Sequence, residues 1–221
     1  MKTVKAAFFD LDGTLVDTEV YWVKATWLAL TRVYDFPLTA DEVQLLVYGR
    51  AWGDIYRHLV ASYPDRCGTI TEMEAAIEVE FRGLTAVNDT TIPGSVDCMR
   101  RLAEVMPVAI VSGSPGKMIA DAIAKMGVED CVTFHLGSER YSPGKPSPVC
   151  YLMAAEQLAV DPKHCIVFED SQAGVTAAKA AGMGCIGLKR PGNTQDISHA
   201  DLVLSSLADF DLDAWLKRPR G

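Results

Sequence analysis

The 221-residue sequence predicts an α/β fold built on a parallel sheet and interrupted by an inserted helical module. Three observations carry that expectation. Short apolar runs recur at Val4 with Ala6 to Phe9, at Val108 to Val111 and at Ile166 to Phe168, as expected of strands buried on both faces. Beyond residue 93 such runs alternate with segments of helix length. Between the first run and residue 93 lie four helix-like segments with no strand pattern among them.

Each element has its own signal. After the first strand, Gly13 breaks the run and Asp17-Thr18 offers an N-cap for a helix from Glu19 to Tyr34, with Trp22, Val23, Trp27, Leu28 and Leu30 at helical spacing. Pro37 ends it. Thr39-Ala40-Asp41-Glu42 has the form of a capping box and opens a second helix, closed by Gly49. Ala51 to Tyr63 reads as a third, with Ile55, Leu59 and Val60 on one face. Thr71-Glu72-Met73-Glu74 is another capping box, predicting a fourth helix to about Val87. Pro93-Gly94 then precedes a helix from Ser95 to Val105, followed by the strand Val108 to Val111. Pro115 to Met126 is helical, with Gly127 as C-cap. A weaker strand is expected at Val132 to Phe134 and a helix from Ser147 to Leu158. The strand Ile166 to Phe168, an alanine-rich helix Gln172 to Ala181, and strands Cys185 to Leu188 and Leu202 to Leu204 complete the series. The expected architecture is a Rossmann-like parallel sheet core (residues 1–15 and 89–221) with an inserted four-helix cap domain (16–88). An insert hinged just after Asp10 to Asp12 is placed to act as a lid.

Composition narrows the partners. A hydrophobic fraction of 49% is that of a folded globular chain. The net charge of −8 and pI near 5.0 disfavour nucleic acid and anionic membranes. No segment has the length of a membrane span, and Lys2 and Lys5 give way to Asp10 before any signal-peptide run. The six cysteines include no C-x-x-C pair and several lie in apolar runs, so free thiols and a cytoplasmic location are expected. Oligomeric state is not readable.

Four polar clusters fall at the ends of expected strands. Asp10-Leu11-Asp12-Gly13-Thr14 sets two carboxylates one residue apart, which repel unless a cation or shared proton relieves them. Ser112-Gly113-Ser114 precedes a helix N-terminus, where free N–H groups favour an anion. Lys145 is held among Pro143, Gly144, Pro146 and Pro148, a rigid setting for one positive charge. Glu169-Asp170-Ser171 repeats the acidic pair and offers oxygen ligands of the kind Mg²⁺ takes. Singly, each has a bland counterpart: an acidic turn, an N-cap serine, a surface lysine, a capping aspartate. Jointly, at equivalent places in one sheet, they point to a phosphate and metal site.

In that order the clusters resemble the four motifs of the haloacid dehalogenase superfamily of phosphotransferases. Asp17-Thr18-Glu19, Gly144-Lys145-Pro146-Ser147-Pro148 and Glu169-Asp170-Ser171 with Gly174 are similar to its β-phosphoglucomutase and phosphoglycolate phosphatase branch, which carries a helical cap between the first two motifs. The resemblance covers nearly the whole chain and implies a Mg²⁺-dependent hydrolase of small phosphate monoesters, with a phosphorylated metabolite such as a sugar phosphate as substrate. It implies Asp10 as nucleophile, Asp12 as acid and base, and Ser112, Gly113 and Lys145 as phosphoryl holders. It also implies a metal held by Asp10, the Asp12 carbonyl, Asp170 and Glu169, the last directly or through water.

The mutases of the branch carry a histidine five residues after the aspartate of the Asp-Thr pair. Trp22 stands there, which favours hydrolysis over mutation of a sugar phosphate. Gly49-Arg50-Ala51-Trp52 resembles the cap loop that faces substrate, making Arg50 and Trp52 candidates for specificity beside their ordinary reading as a solvated arginine and a packed tryptophan. A third possibility is a receiver-like regulatory module without turnover, though receivers are shorter and lack an inserted cap.

Overall fold

The computed structural model describes residues 3–47 and 52–218. The chain divides into two compact units, Met1–Val16 with Thr91–Gly221, and Asp17–Thr90. Along it run β1 (Ala6–Phe9), α1 (Glu19–Arg32), α2 (Ala40–Val47), α3 (Trp52–Ser62), α4 (Ile70–Val87), α5 (Pro93–Ala103) and β2 (Val108–Val111). There follow α6 (Gly116–Met126), β3 (Phe134–Leu136), α7 (Val149–Gln157), β4 (Cys165–Glu169), α8 (Gln172–Ala180), β5 (Gly184–Leu188), β6 (Leu202–Leu204) and α9 (Leu212–Lys217).

The first unit is built on a six-stranded sheet in the order β3-β2-β1-β4-β5-β6, with every pairing parallel. Side-chain alternation explains why its strands read as unbroken apolar runs. Ala7, Phe9, Val108, Ile110, Ile166 and Phe168 face one core layer with Val96 and Met99 of α5 and Ile119 and Ile123 of α6. Their alternates Ala6, Phe8, Ala109, Val111 and Val167 face the other layer with Tyr151 and Ala154 of α7 and Val175 and Ala178 of α8. Burial of each large apolar side chain contributes about 1.5–3 kcal/mol, so covering both faces favours apolar residues at every position of a central strand. Phe9 stacks on its register partner Phe168 with ring centroids 4.3 Å apart.

The chain leaves this unit after Val16 and returns at Thr91, whose backbone forms an antiparallel bridge with Val16. The Ile92 N–H also donates to the Leu15 carbonyl at 2.9 Å. The second unit holds α1 to α4 around its own core of Leu30, Phe36, Val43, Ile55, Leu59 and Met73. Among the described residues no helix is long and apolar enough to cross a membrane.

Several boundaries differ from the sequence reading. The capping box of α4 is Thr69 with Glu72, two residues ahead of the expected Thr71 with Glu74. Both boxes keep Met73, Ile77 and Phe81 on one buried face, so apolar periodicity cannot separate them, and the earlier start adds helical hydrogen bonds up to the breaker Gly68. Pro93 is the first residue of α5 rather than its preface, since its missing N–H would be unpaired there anyway. β3 lies at Phe134–Leu136, two residues beyond the expected strand; it is an edge strand centred on the polar His135, which masks the apolar run. The C-terminal α9 was not anticipated, and it brings Trp215 into the first core layer. The six cysteines are free, and burial pushes the Cys98 and Cys165 thiols up to about 12.

Candidate active site

β1, β2 and β4 are neighbours at the middle of the sheet, and their register sets Phe9 opposite both Ile110 and Phe168. Their carboxyl ends therefore finish at one level. In an open parallel sheet that edge is where ligands bind. Asp10 follows β1, Ser112 follows β2 and Glu169 is the last residue of β4.

The turn after β1 depends on Gly13. Its φ of +85° is left-handed, and a Cβ there would lie 2.1 Å from Asp170 Oδ2. Glycine is thus required both for the turn and for the approach of the two acidic loops. Thr14 donates its hydroxyl to Asp170 Oδ1 at 3.3 Å, while Asn193 donates its side-chain amide to the Asp170 carbonyl at 2.8 Å.

Lys145 ties three strand ends together. Its Nζ donates to Asp10 Oδ1 at 2.6 Å, to Glu169 Oε1 at 2.6 Å and to the Val111 carbonyl at 3.1 Å. Its side chain is only 11% exposed, so these are charge-assisted bonds in a largely water-free setting. Asp10, Glu169 and Asp170 each offer an oxygen, all within 4.8 Å of one another.

Glu169 is fully buried and heavily engaged. Besides Lys145, its Oε1 accepts from the Tyr151 hydroxyl at 3.0 Å. Its Oε2 accepts from the backbone N–H groups of Asp170 and Ser171, both at 3.1 Å, and from the Ser171 hydroxyl at 2.9 Å. Gly174 makes room for it, since a Cβ there would lie 1.7 Å from Oε1. Ser171 Oγ also accepts from the Gly174 N–H at 3.0 Å and so caps α8, the bland role expected of this motif.

The charges do not balance. Asp10, Glu169 and Asp170 surround one lysine. Burial, offset in part by Lys145 and reinforced by Glu169, Asp170 and Asp12, pushes the Asp10 carboxyl well above the ordinary carboxylate range. Burial and then the Glu169 charge push Asp170 up to about 7. Burial also opposes the charge on Lys145, but Asp10 and Glu169 outweigh it and hold the lysine well above its usual value. A divalent cation beside Asp10 and Asp170 would supply the missing positive charge. The surrounding donors are all oxygens, the set suited to a hard cation rather than to zinc.

The turn after β2 supplies hydroxyls. Ser112 is buried, its carbonyl accepts from the Tyr141 hydroxyl at 2.7 Å, and its Oγ accepts from the Ser114 N–H at 3.0 Å. Ser112 Oγ lies 3.4 Å from Asp12 Oδ2, and Ser114 Oγ lies 2.5 Å from the same atom. Gly113 between them is exposed, with open space where a Cβ would be.

The structure therefore joins Lys145 directly to Asp10 and Glu169, gathers oxygens of Asp10, Glu169 and Asp170, and sets Ser112 against Asp12 on the neighbouring turn. Arg50 lies outside the described residues. Trp52 opens α3 and packs half-buried against the core of the second unit. Trp22 stacks on Phe81 in that unit, with centroids 4.0 Å apart and planes 13° from parallel. Sequence reasoning missed Tyr151, Tyr141 and Asn193. Only the Tyr151 position carried a signal, an aromatic with a hydroxyl six residues after Lys145, and it passes for an ordinary apolar helix residue.

A family model described as haloacid dehalogenase-like hydrolase matches residues 4–182. Hexitol phosphatase A of Escherichia coli (strain K12) is 33% identical over 220 residues, covering 98% of this chain and 96% of that protein. Validoxylamine A 7'-phosphate phosphatase of Streptomyces hygroscopicus subsp. limoneus is 30% identical over 206 residues, covering 93% and 95%. The crystal structure of a putative β-phosphoglucomutase from Thermotoga maritima shares the fold, with a TM-score of 0.79 at 23% identity over 91% of this chain and 94% of that one. With the motif residues gathered at one sheet edge and the sequence matched over most of its length, the chain belongs to the haloacid dehalogenase-like hydrolase family.

Proposed function

We propose that the protein is a Mg²⁺-dependent hydrolase of small phosphate monoesters, sugar or polyol phosphates in particular, that works through an aspartyl-phosphate on Asp10. The observation that carries this reading is Lys145 bonded to both Asp10 and Glu169 with Asp170 alongside, at the carboxyl ends of adjacent strands. The curated relatives named above are phosphatases of phosphorylated small molecules. The acidic composition and the free thiols support a cytoplasmic location.

Asp10 and Asp170, with the Asp12 carbonyl, are the groups to hold Mg²⁺. Glu169 has five donors on its two oxygens and serves from behind, fixing Lys145. Bound Mg²⁺ neutralises phosphoryl charge and lowers the cost of bringing an anionic carboxylate to an anionic ester. The protein's own groups do the rest. An Asp10 oxygen attacks phosphorus, the ester P–O bond breaks, and its electron pair leaves on the ester oxygen, which takes a proton from Asp12. Water then attacks the phosphorus of the aspartyl-phosphate and gives a proton to Asp12, and the bond to Asp10 breaks with its electron pair returning to the carboxylate. Lys145 and the Ser112 hydroxyl hold the phosphoryl oxygens through both steps, since this transition state needs positioning and charge neutralisation most. Segment 17–90 is the cap, and Arg50 and Trp52 are its candidate substrate contacts. Trp22, at the place of the mutase histidine, is committed to a stack on Phe81, which favours water as the acceptor.

The test is a phosphate-release screen over metabolite esters with Mg²⁺, run on the wild-type chain and on Asp10→Asn. Release by the wild type and none by the variant is expected. Undiminished steady-state release by Asp10→Asn, with deamidation excluded by mass spectrometry, would remove Asp10 as nucleophile. Isomerised ester in place of free phosphate would establish a mutase instead.

A further inference from the structure

We propose that Ser114 is a positioning residue for Asp12: its hydroxyl fixes one carboxylate oxygen, so that the other carries the proton exchanged with the leaving group. The inference rests on the phosphatase reading and extends it to the residue that orients the acid and base.

Ser114 Oγ lies 2.5 Å from Asp12 Oδ2, the range for a hydroxyl donating to an ionised carboxylate. Ser112 Oγ is 3.4 Å from that atom, so its hold is weak. The two hydroxyls also differ in their other duties. A serine hydroxyl has one proton to give. When Ser112 gives its proton to a phosphoryl oxygen it has none left for Asp12, whereas the Ser114 hydroxyl remains on Oδ2. The placement follows from the sheet. Asp12 lies on the turn after β1 and Ser114 on the turn after β2, and pairing of Phe9 with Ile110 sets the distance between these turns.

The chemistry makes such a restraint useful. Asp12 gives up a proton when the ester P–O bond breaks and regains one when water attacks phosphorus. Both transfers need one carboxylate oxygen to point at the same place twice. Oδ2 accepts from Ser114 whether Asp12 is ionised or carries its proton on Oδ1, so the contact survives the whole cycle. A misplacement of about 1 Å in such a group costs on the order of a hundredfold in rate.

The test uses leaving groups. kcat/KM for a two-step phosphatase reports events up to release of the alcohol, so it isolates the proton donated by Asp12 from the later attack of water. Glycerol 2-phosphate needs that proton, whereas 2,4-dinitrophenyl phosphate has a leaving group that departs without one. Ser114→Ala is expected to lose about tenfold or more in kcat/KM on the glycerol ester and under about threefold on the dinitrophenyl ester, and Ser114→Thr to restore the difference. Should alanine destabilise the turn, Ser114→Cys keeps the volume while weakening the donor and must give the same contrast. Equal losses on both esters, no loss on either, or no rescue by threonine would overturn the proposal while leaving the phosphatase reading intact. No release from either ester by the wild type with Mg²⁺ would overturn both.

Discussion

Replacing Tyr151 by phenylalanine removes one oxygen and little else. The Tyr151 hydroxyl donates to Glu169 Oε1 at 3.0 Å, and both groups are buried. Phenylalanine keeps the ring, hence the stack on Phe8 at 6.5 Å and the position beneath the Lys145 ammonium at 5.2 Å. What is lost is a bond to a buried charge, worth about 1.5–3 kcal/mol. Oε1 retains Lys145, and both Tyr151 and Glu169 are fully buried. Burial first, and then the Glu169 charge, hold the phenol pKa well above its usual value, so it stays a donor throughout the working pH range. At about 2–4 °C per kcal/mol for a chain of this size, the melting temperature should fall by about 3–12 °C. The assay is thermal unfolding of the chelator-treated protein, followed by circular dichroism, for the wild type and Tyr151→Phe in parallel. A change of less than about 1 °C would refute the argument that Glu169 depends on this hydroxyl.

Other expectations follow from the same geometry. Gly174→Ala places a methyl 1.7 Å from Glu169 Oε1 and should cost about 1–3 kcal/mol or more; a wild-type urea midpoint would contradict it. Gly13→Ala combines a φ of +85° with a methyl 2.1 Å from Asp170 Oδ2, so Mg²⁺ affinity by calorimetric titration should drop at least about tenfold, and unaltered affinity would disprove the close approach of the two loops. In metal-free protein the Asp170 pKa of about 7 lies above its ordinary 3.8. Its contribution to stability is therefore full below about pH 4 and lost as pH rises through about 7. Mg²⁺ should accordingly raise the melting temperature more at pH 8 than at pH 5, and equal effects at both would count against Asp170 as a ligand. Lys145→Met strands two carboxylates and should destabilise by about 3–5 kcal/mol at pH 8, an effect that denaturant titration would show shrinking as pH falls, because burial already pushes the Asp10 carboxyl well above the ordinary carboxylate range.

The central strands were legible because they are covered on both faces. Val108–Val111 and Leu202–Leu204 were read to the residue. Edge position and a polar centre hid β3, and two overlapping boxes of the same form blurred the start of α4. The polar clusters at the strand ends were legible because acidic, hydroxyl and lysine residues coincide there with turn-forming signals. Their supports were not. Tyr151 sits among apolar residues of α7 with nothing local to mark its hydroxyl, and Asn193 reaches Asp170 across 23 positions of chain. Glu169 reads as following the strand Ile166 to Phe168, yet it is the last residue of β4, and its burial and long-range donors reveal that it faces inward.

The bridge between Val16 and Thr91 means that the two ends of segment 17–90 start from adjacent points. A graft at that junction needs no long tether, because entry and exit are already side by side. The helical segment is thus one contiguous insertion, and Asp10, Ser112, Lys145 and Asp170 all lie outside it. Rewriting the 74 contiguous residues from 17 to 90 would leave the sequence of the sheet-bearing unit untouched.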